Sequence, residues 1–326
     1  MKWKAEWWLA ICTSEGYMMK AIPYFDGHCD TVYRCYCTGE SMMSNQGHVA
    51  FDRLDGFSRY AQIFTFFWDA AEAPPQGMFA LAKEMYALFC GEVNKSQGKL
   101  IHCRSAQDVA AHMGQGKVCG LLSIEGGDLL DCNPEYIETA SEWGVKIINP
   151  TWNRANGLSG SHCEDSDRGL SDVGRVFVRN AEQAGILMDV SHLSEKGFWD
   201  LMNMTSKPVV ASHSNARSVH NHSRSLTDDQ FRAICQSGGV VGLNFYTAFV
   251  GEQPTMEQFQ KHLEHFLMLG GENHIALGAD FDGCDSLVQG IGGVQDIPAL
   301  WNFLAAKGYS EELLNKLFWE NWLRIM

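Results

Sequence analysis

Eight apolar runs of strand length recur along the chain, and each ends where the sequence turns polar. They cover residues 21–25, 60–68, 117–124, 145–149, 186–190, 208–211, 239–246 and 275–279. Most of the intervening segments carry apolar residues at helical spacing, notably 78–93, 134–143, 173–184, 256–269, 297–307 and 311–324. Gly185 reads as the C-cap of one of these helices, Thr227 as the N-cap of another, and a further helix begins near Ser194. Strands alternating with helices predict an α/β fold, a (β/α)8 TIM-like barrel of the metal-dependent hydrolase type. A doubly wound sheet is the competing architecture, but no Gly-x-Gly-x-x-Gly follows any of the runs. The polar stretches 38–47 and 156–170 read as loops, the second lying over the strand ends. No low-complexity linker divides the chain, so residues 19–326 are expected to form one barrel domain.

Composition narrows the function. At 326 residues and 45% hydrophobic content the chain can bury a large core. Its net charge of −14, with no cluster of Lys and Arg, excludes nucleic acid as the expected partner. The 11 cysteines show no C-x-x-C pair and no disulfide framework, so they read as reduced thiols of a cytoplasmic protein. No apolar run approaches the ~20 residues of a membrane span, and no membrane partner is expected. Residues 1–18 are too short and too interrupted by Glu6 for a signal peptide, and read as a peripheral extension or a start-site artefact.

Chemistry gathers at the ends of the runs. His28 and Asp30 follow the first, Glu125 the third, His192 the fifth, His213 the sixth and Asp280 the eighth. In a barrel these ends converge on the C-terminal face. If the first run is a strand, His28 and Asp30 share a face while Cys29 points away. Imidazoles and carboxylates without cysteine suit Zn2+ in an open catalytic site, with Mn2+ or Co2+ as substitutes. Five ligands exceed the needs of one such ion. Two ions would use them all, with His28 and Asp30 on one, His192 and His213 on the other, and Glu125 between. Asp280 is then left as an acid/base for a metal-activated water. Arg224, in the polar stretch after the sixth run, could hold a substrate carboxylate in its fork or form a surface ion pair. Trp152 and Tyr246, at the ends of the fourth and seventh runs, are further candidate substrate contacts. His220 and His222 read as surface histidines. His48, His102, His112, His162, His262, His265 and His274 fall in loops or helical patterns and receive no role. Asp26 and Asp282 either support the site or shape the turns beside it.

These residues resemble the membrane dipeptidase (renal dipeptidase) family of zinc peptidases, in a soluble, bacterial-type form. The likeness rests on Asp26-Gly27-His28-Cys29-Asp30-Thr31, Ser123-Ile124-Glu125-Gly126, Asp189-Val190-Ser191-His192, Ala211-Ser212-His213-Ser214-Asn215-Ala216 and Gly278-Ala279-Asp280-Phe281-Asp282-Gly283, all in order. It implies a barrel with two zinc ions that hydrolyses free dipeptides and tolerates a D-residue at the C-terminal position. It assigns His28, Asp30, Glu125, His192 and His213 as ligands, Glu125 as the bridge, Asp280 as acid/base and Arg224 as the holder of the C-terminal carboxylate. Two departures stand out. Trp152 occupies the place of a histidine that in some members binds substrate and stabilises the tetrahedral intermediate, and an indole cannot become cationic. Ser225 follows Arg224 where members often have Asn. The sequence shows neither the signal peptide nor the hydrophobic tail of GPI-anchored animal members. The alternatives are an amidohydrolase acting on N-acyl amino acids or lactams, and a barrel that binds without catalysis. Trp301, Trp319 and Trp322 read as core, with a homodimer interface as the other use for them.

Overall fold

The computed structural model describes residues 20–114 and 116–326; the expectation for residues 1–18 lies outside them. Nine parallel strands are present: β1 (Ile22–Cys29), β2 (Phe57–Phe67), β3 (Leu100–His102), β4 (Val118–Glu125), β5 (Val145–Asn149), β6 (Leu187–Asp189), β7 (Val209–Ala211), β8 (Val240–Leu243) and β9 (Ile275–Leu277). Eight of them close a barrel in the order β1-β2-β4-β5-β6-β7-β8-β9, with Asp26 of β1 opposite Leu277 of β9 completing the ring. The expected (β/α)8 barrel is therefore the fold.

The ninth strand is a finding. β3 pairs with the first half of β4, from Val118 to Gly120, and β5 takes over the same edge from Leu122. Three residues are too few to show a period, so the sequence pattern passes over β3. A helix also follows β1 directly, Thr31–Thr38, inside a segment with little helical signal, and Gly39 closes it in the left-handed conformation.

β1 and β4 are buried along their whole length, as parallel strands covered on both faces should be. Thr227 caps its helix as expected and a helix starts after Ser194, while Ala184 is the C-cap of the helix Asp172–Gln183 and Gly185 follows it at a φ of 74°. Ser194 accepts from the N–H of Gly197, and Thr227 forms a reciprocal capping box with Gln230. The C-terminal segment packs against β1. Trp322 lies over Gly27, where a Cβ would run into its indole, and its Nε1 donates to the Leu277 carbonyl at 2.8 Å. Trp319 packs on Phe25 at 5.7 Å between ring centroids. Trp301, Trp319 and Trp322 are all buried, so these rings belong to the core and offer no interface. Among the described residues, no helix is long and apolar enough to cross a membrane.

Candidate metal centre

Five strand ends on the C-terminal face of the barrel bring six titratable residues together. His28 is the penultimate residue of β1 and Asp30 follows it, while Glu125 is the last residue of β4. His192, His213 and Asp280 lie two or three residues beyond β6, β7 and β9. His192 and Asp280 adopt positive φ, 70° and 62°, a conformation uncommon outside glycine that turns each chain sharply off its strand.

The His28 Nε2 lies 3.3 Å from Asp30 Oδ2, 3.7 Å from Glu125 Oε2 and 3.9 Å from Asp280 Oδ1. The other Glu125 oxygen, Oε1, lies 3.0 Å from His192 Nε2 and 3.4 Å from His213 Nε2. Those two imidazole nitrogens are 3.0 Å apart. One carboxylate thus faces two separate groups of ligands, one with each oxygen.

Each imidazole is held from behind. His192 Nδ1 meets Asn153 Oδ1 at 2.8 Å, which requires the N–H on Nδ1 and leaves the lone pair on Nε2. His213 Nδ1 meets Ser212 Oγ at 2.7 Å, and His28 Nδ1 faces Thr65 Oγ1 at 3.3 Å. The Asp189 Oδ1 accepts the N–H groups of both Ser191 and Ser212, fixing the two loops relative to each other. Asn244 donates to Asp280 Oδ2 at 2.9 Å. Such outer partners orient ligands and set their tautomers.

The electrostatics call for a cation. Burial pushes the His28 imidazole down, but Glu125, Asp30 and Asp280 outweigh it and hold it up at about 10. Burial pushes Glu125 up to about 8 against the pull of His28, and raises Asp30 likewise. Burial, with Arg224 and His28 adding to it, drops His192 and His213 well below the usual histidine range, so both are neutral donors of lone pairs. His28 Nε2, Asp30 Oδ1 and Glu125 Oε1 are buried without a hydrogen-bond partner. Gly283 leaves the space beside Asp30 and Asp280 that any Cβ would fill. This donor set fits divalent metal: orphaned nitrogen and oxygen ligands, desolvated and convergent.

A cavity of about 330 Å³ opens onto the centre. Arg224 lines it, buried to 4% exposure, with Nη1 donating to Ser214 Oγ and Nη2 to the His213 carbonyl, each at 3.2 Å. Its Nε has no partner. The surface ion pair considered for Arg224 is therefore not what the structure holds. Trp152 and Tyr246 both line the cavity, Trp152 packed on Phe67 at 4.8 Å between centroids. His222, read as a surface residue, is half-buried and lines the cavity as well. Asp282 lines the cavity with both carboxylate oxygens engaged, accepting from Thr31 Oγ1 and the His48 N–H, and so ties the loop before the 3-10 turn Phe51–Arg53 to the end of β9. Asp26 joins Gln62 to the Ala279 N–H deeper in the barrel. Asn153, His162, Asp189 and Asn244 received no role from the sequence, because the contacts that tie them to His192, Ser223, Ser212 and Asp280 span 23 to 61 residues of chain.

Comparison with known proteins gives the family and the fold. The family model described as membrane dipeptidase (peptidase family M19) matches residues 14–326. A metallo peptidase from Rhodobacter sphaeroides, solved with a phosphinate mimic of the dipeptide L-Ala-D-Ala, superposes with a TM-score of 0.85. It is 29% identical, and the superposition covers 94% of this chain and 99% of that one. A metallo peptidase described as dipeptidase AC, 30% identical, gives a TM-score of 0.83 over 94% of this chain and 98% of its own. An uncharacterized protein from the pqqA 5′ region of Klebsiella pneumoniae is 37% identical over 244 residues, 71% of this chain and 89% of that protein.

Proposed function

The chain belongs to the membrane dipeptidase family and is a metallodipeptidase, and from that premise we propose that it cleaves free dipeptides at a two-zinc centre carried by a single domain, residues 19–326. The observation that carries the proposal is the split of Glu125, whose Oε2 faces His28 while Oε1 faces His192 and His213. His28 and Asp30 would hold one ion, His192 and His213 the other, with Glu125 shared. Bound there, the metal would polarise the scissile carbonyl and acidify a water at neutral pH, a role open also to Mn2+ or Co2+.

The remaining residues divide the work. Asp280 has Oδ2 fixed by Asn244 and Oδ1 turned toward His28, so Oδ1 is the atom that takes a proton from the attacking water and returns it to the departing amine. Arg224 is a buried guanidinium with an unpartnered Nε, costly to leave uncompensated, and a substrate carboxylate supplies the missing charge. Asp280 also offers a partner for the free α-amine. Trp152, packed at a tilt on Phe67, and Tyr246 form apolar walls along the substrate. In this reading Trp152 contacts a side chain and leaves charge stabilisation to the metal. The L-Ala-D-Ala mimic bound by the Rhodobacter sphaeroides peptidase supports tolerance of a C-terminal D-residue here too.

The test is a panel of L-Ala-L-Ala, L-Ala-D-Ala and their N-acetyl derivatives, given to protein stripped by a chelator and refilled with Zn2+. Hydrolysis of the free dipeptides, lost on stripping and regained on refilling, is the expected result. Turnover confined to the N-acetyl forms would assign the site to an N-acyl amidohydrolase instead.

A further inference from the structure

Asn153 Oδ1 receives two imidazoles at once: His192 Nδ1 at 2.8 Å and His162 Nε2 at 2.8 Å. A carbonyl oxygen only accepts, so both nitrogens carry their protons there. His162 is then left with an acceptor at Nδ1, and Ser223 Oγ meets it at 2.8 Å as the donor. Every hydrogen in the chain is thereby assigned: Ser223 O–H to His162, His162 N–H to Asn153, His192 N–H to Asn153. If Asn153 were turned over, its amide would donate to His192 Nδ1 and drive the proton onto Nε2, the atom facing Glu125. With His192 Nε2 as the ligand atom, only the orientation that turns Oδ1 toward both imidazoles keeps that lone pair free.

The backbone repeats the same connection. The His162 N–H donates to the His192 carbonyl at 2.8 Å, Ser161 bridges to Leu193, and Ser161 Oγ donates to the Asn153 carbonyl at 2.6 Å. The far end of the chain, Ser223, is the residue before Arg224. We propose that His162 is a positioning residue of the metal centre: through Asn153 it locks His192 in the tautomer that offers Nε2, and through Ser223 it joins that ligand to the loop carrying Arg224. The inference rests on the reading of His192 as a metal ligand.

The test is Zn2+ affinity by competition with a chromophoric chelator, using the whole chain and needing no turnover. His162→Phe is expected to weaken zinc binding about tenfold and Asn153→Leu by about 10–100-fold, the range for partners that orient a ligand. The double variant should bind no worse than Asn153→Leu alone, because His162 acts only through Asn153. His162→Gln keeps a donor at the Nε2 position and is expected to restore most of the affinity, which separates a lost hydrogen bond from lost packing. Ser223→Ala, cutting only the far link, should raise KM for L-Ala-L-Ala and leave zinc affinity unchanged. Equal zinc affinity in wild type and His162→Phe, equal losses in the Phe and Gln variants, or additive losses in the double variant would each overturn the role at His192. An unchanged KM in Ser223→Ala would overturn the link to Arg224. A wild-type chain that takes up no zinc overturns this inference together with the metal reading, whereas tight wild-type binding that His162→Phe leaves intact overturns this inference alone.

Discussion

In the proposed mechanism, Asp280 and Arg224 are where single side chains meet the chemistry most directly. One Asp280 oxygen is pinned by Asn244 and the other is turned to the metal ligands, so replacing the carboxylate by its amide keeps the shape and removes the base. Asp280→Asn is expected to lower kcat by about 10²–10⁴, the usual contribution of a positioned acid/base, with zinc content unchanged by elemental analysis. A variant that keeps near-normal kcat would move the proton transfer to another group. Arg224 differs in kind, because its fork is already bonded to Ser214 and His213 on one side. Lysine offers a point charge without that fork, so Arg224→Lys should raise KM about tenfold or more with a smaller change in kcat. Equal KM values for the two forms would show that the carboxylate is held elsewhere. Asp280 was legible in the sequence because it sits just past a strand that a run of apolar residues announces, whereas Arg224, in the polar stretch after His213, drew its role from the resemblance. The roles of Asn153 and His162 were not legible, since their links to His192 and Ser223 span 39 and 61 residues and leave no trace in a local pattern.

The elements around the site show the same division. The long buried strands announced themselves, β4 above all, whose eight residues are buried throughout. β3 and the helix Thr31–Thr38 did not, one being three residues long and the other rich in β-branched and aromatic residues with weak helical preference. The helix Met256–Met268 was legible, but not its task. Its His262 is buried beneath the loop between His213 and Arg224, with Nδ1 accepting the Ala216 N–H at 3.1 Å and Nε2 donating to the Val250 carbonyl at 3.0 Å. Burial, with His220 and His265 adding to it, lowers His262 from the ordinary 6.5 to about 4. A group whose folded pKa is depressed in this way binds its proton more readily in the unfolded chain. Its contribution is therefore whole above pH 6.5 and drains away as the pH falls toward 4. At roughly 1.4 kcal/mol for each unit, the loss amounts to about 3 kcal/mol. Denaturant unfolding at pH 8 and pH 4 should show His262→Asn less stable than wild type at the higher pH and with a drop smaller by about that amount. Parallel curves for the two proteins would contradict the assignment.

For the molecule as a whole, the barrel explains why residues spread from position 28 to position 280 act on one point. Each strand delivers its last side chains to the same face, and the C-terminal segment, with Trp322 over Gly27, closes against the first strand. Buried carboxylates and neutral imidazoles crowd that face, and the carboxylates hold the His28 imidazole up at about 10. In the proposed centre, two divalent ions sharing Glu125 would engage His28 and Asp30 on one side and His192 and His213 on the other. The measurement that tests this most directly is calorimetric titration of Zn2+ into the metal-free chain, with dipeptide hydrolysis followed on the same samples. Two equivalents per chain, with full activity reached only at the second, is the expected result. Saturation of both binding and hydrolysis at a single equivalent would contradict the shared-carboxylate centre.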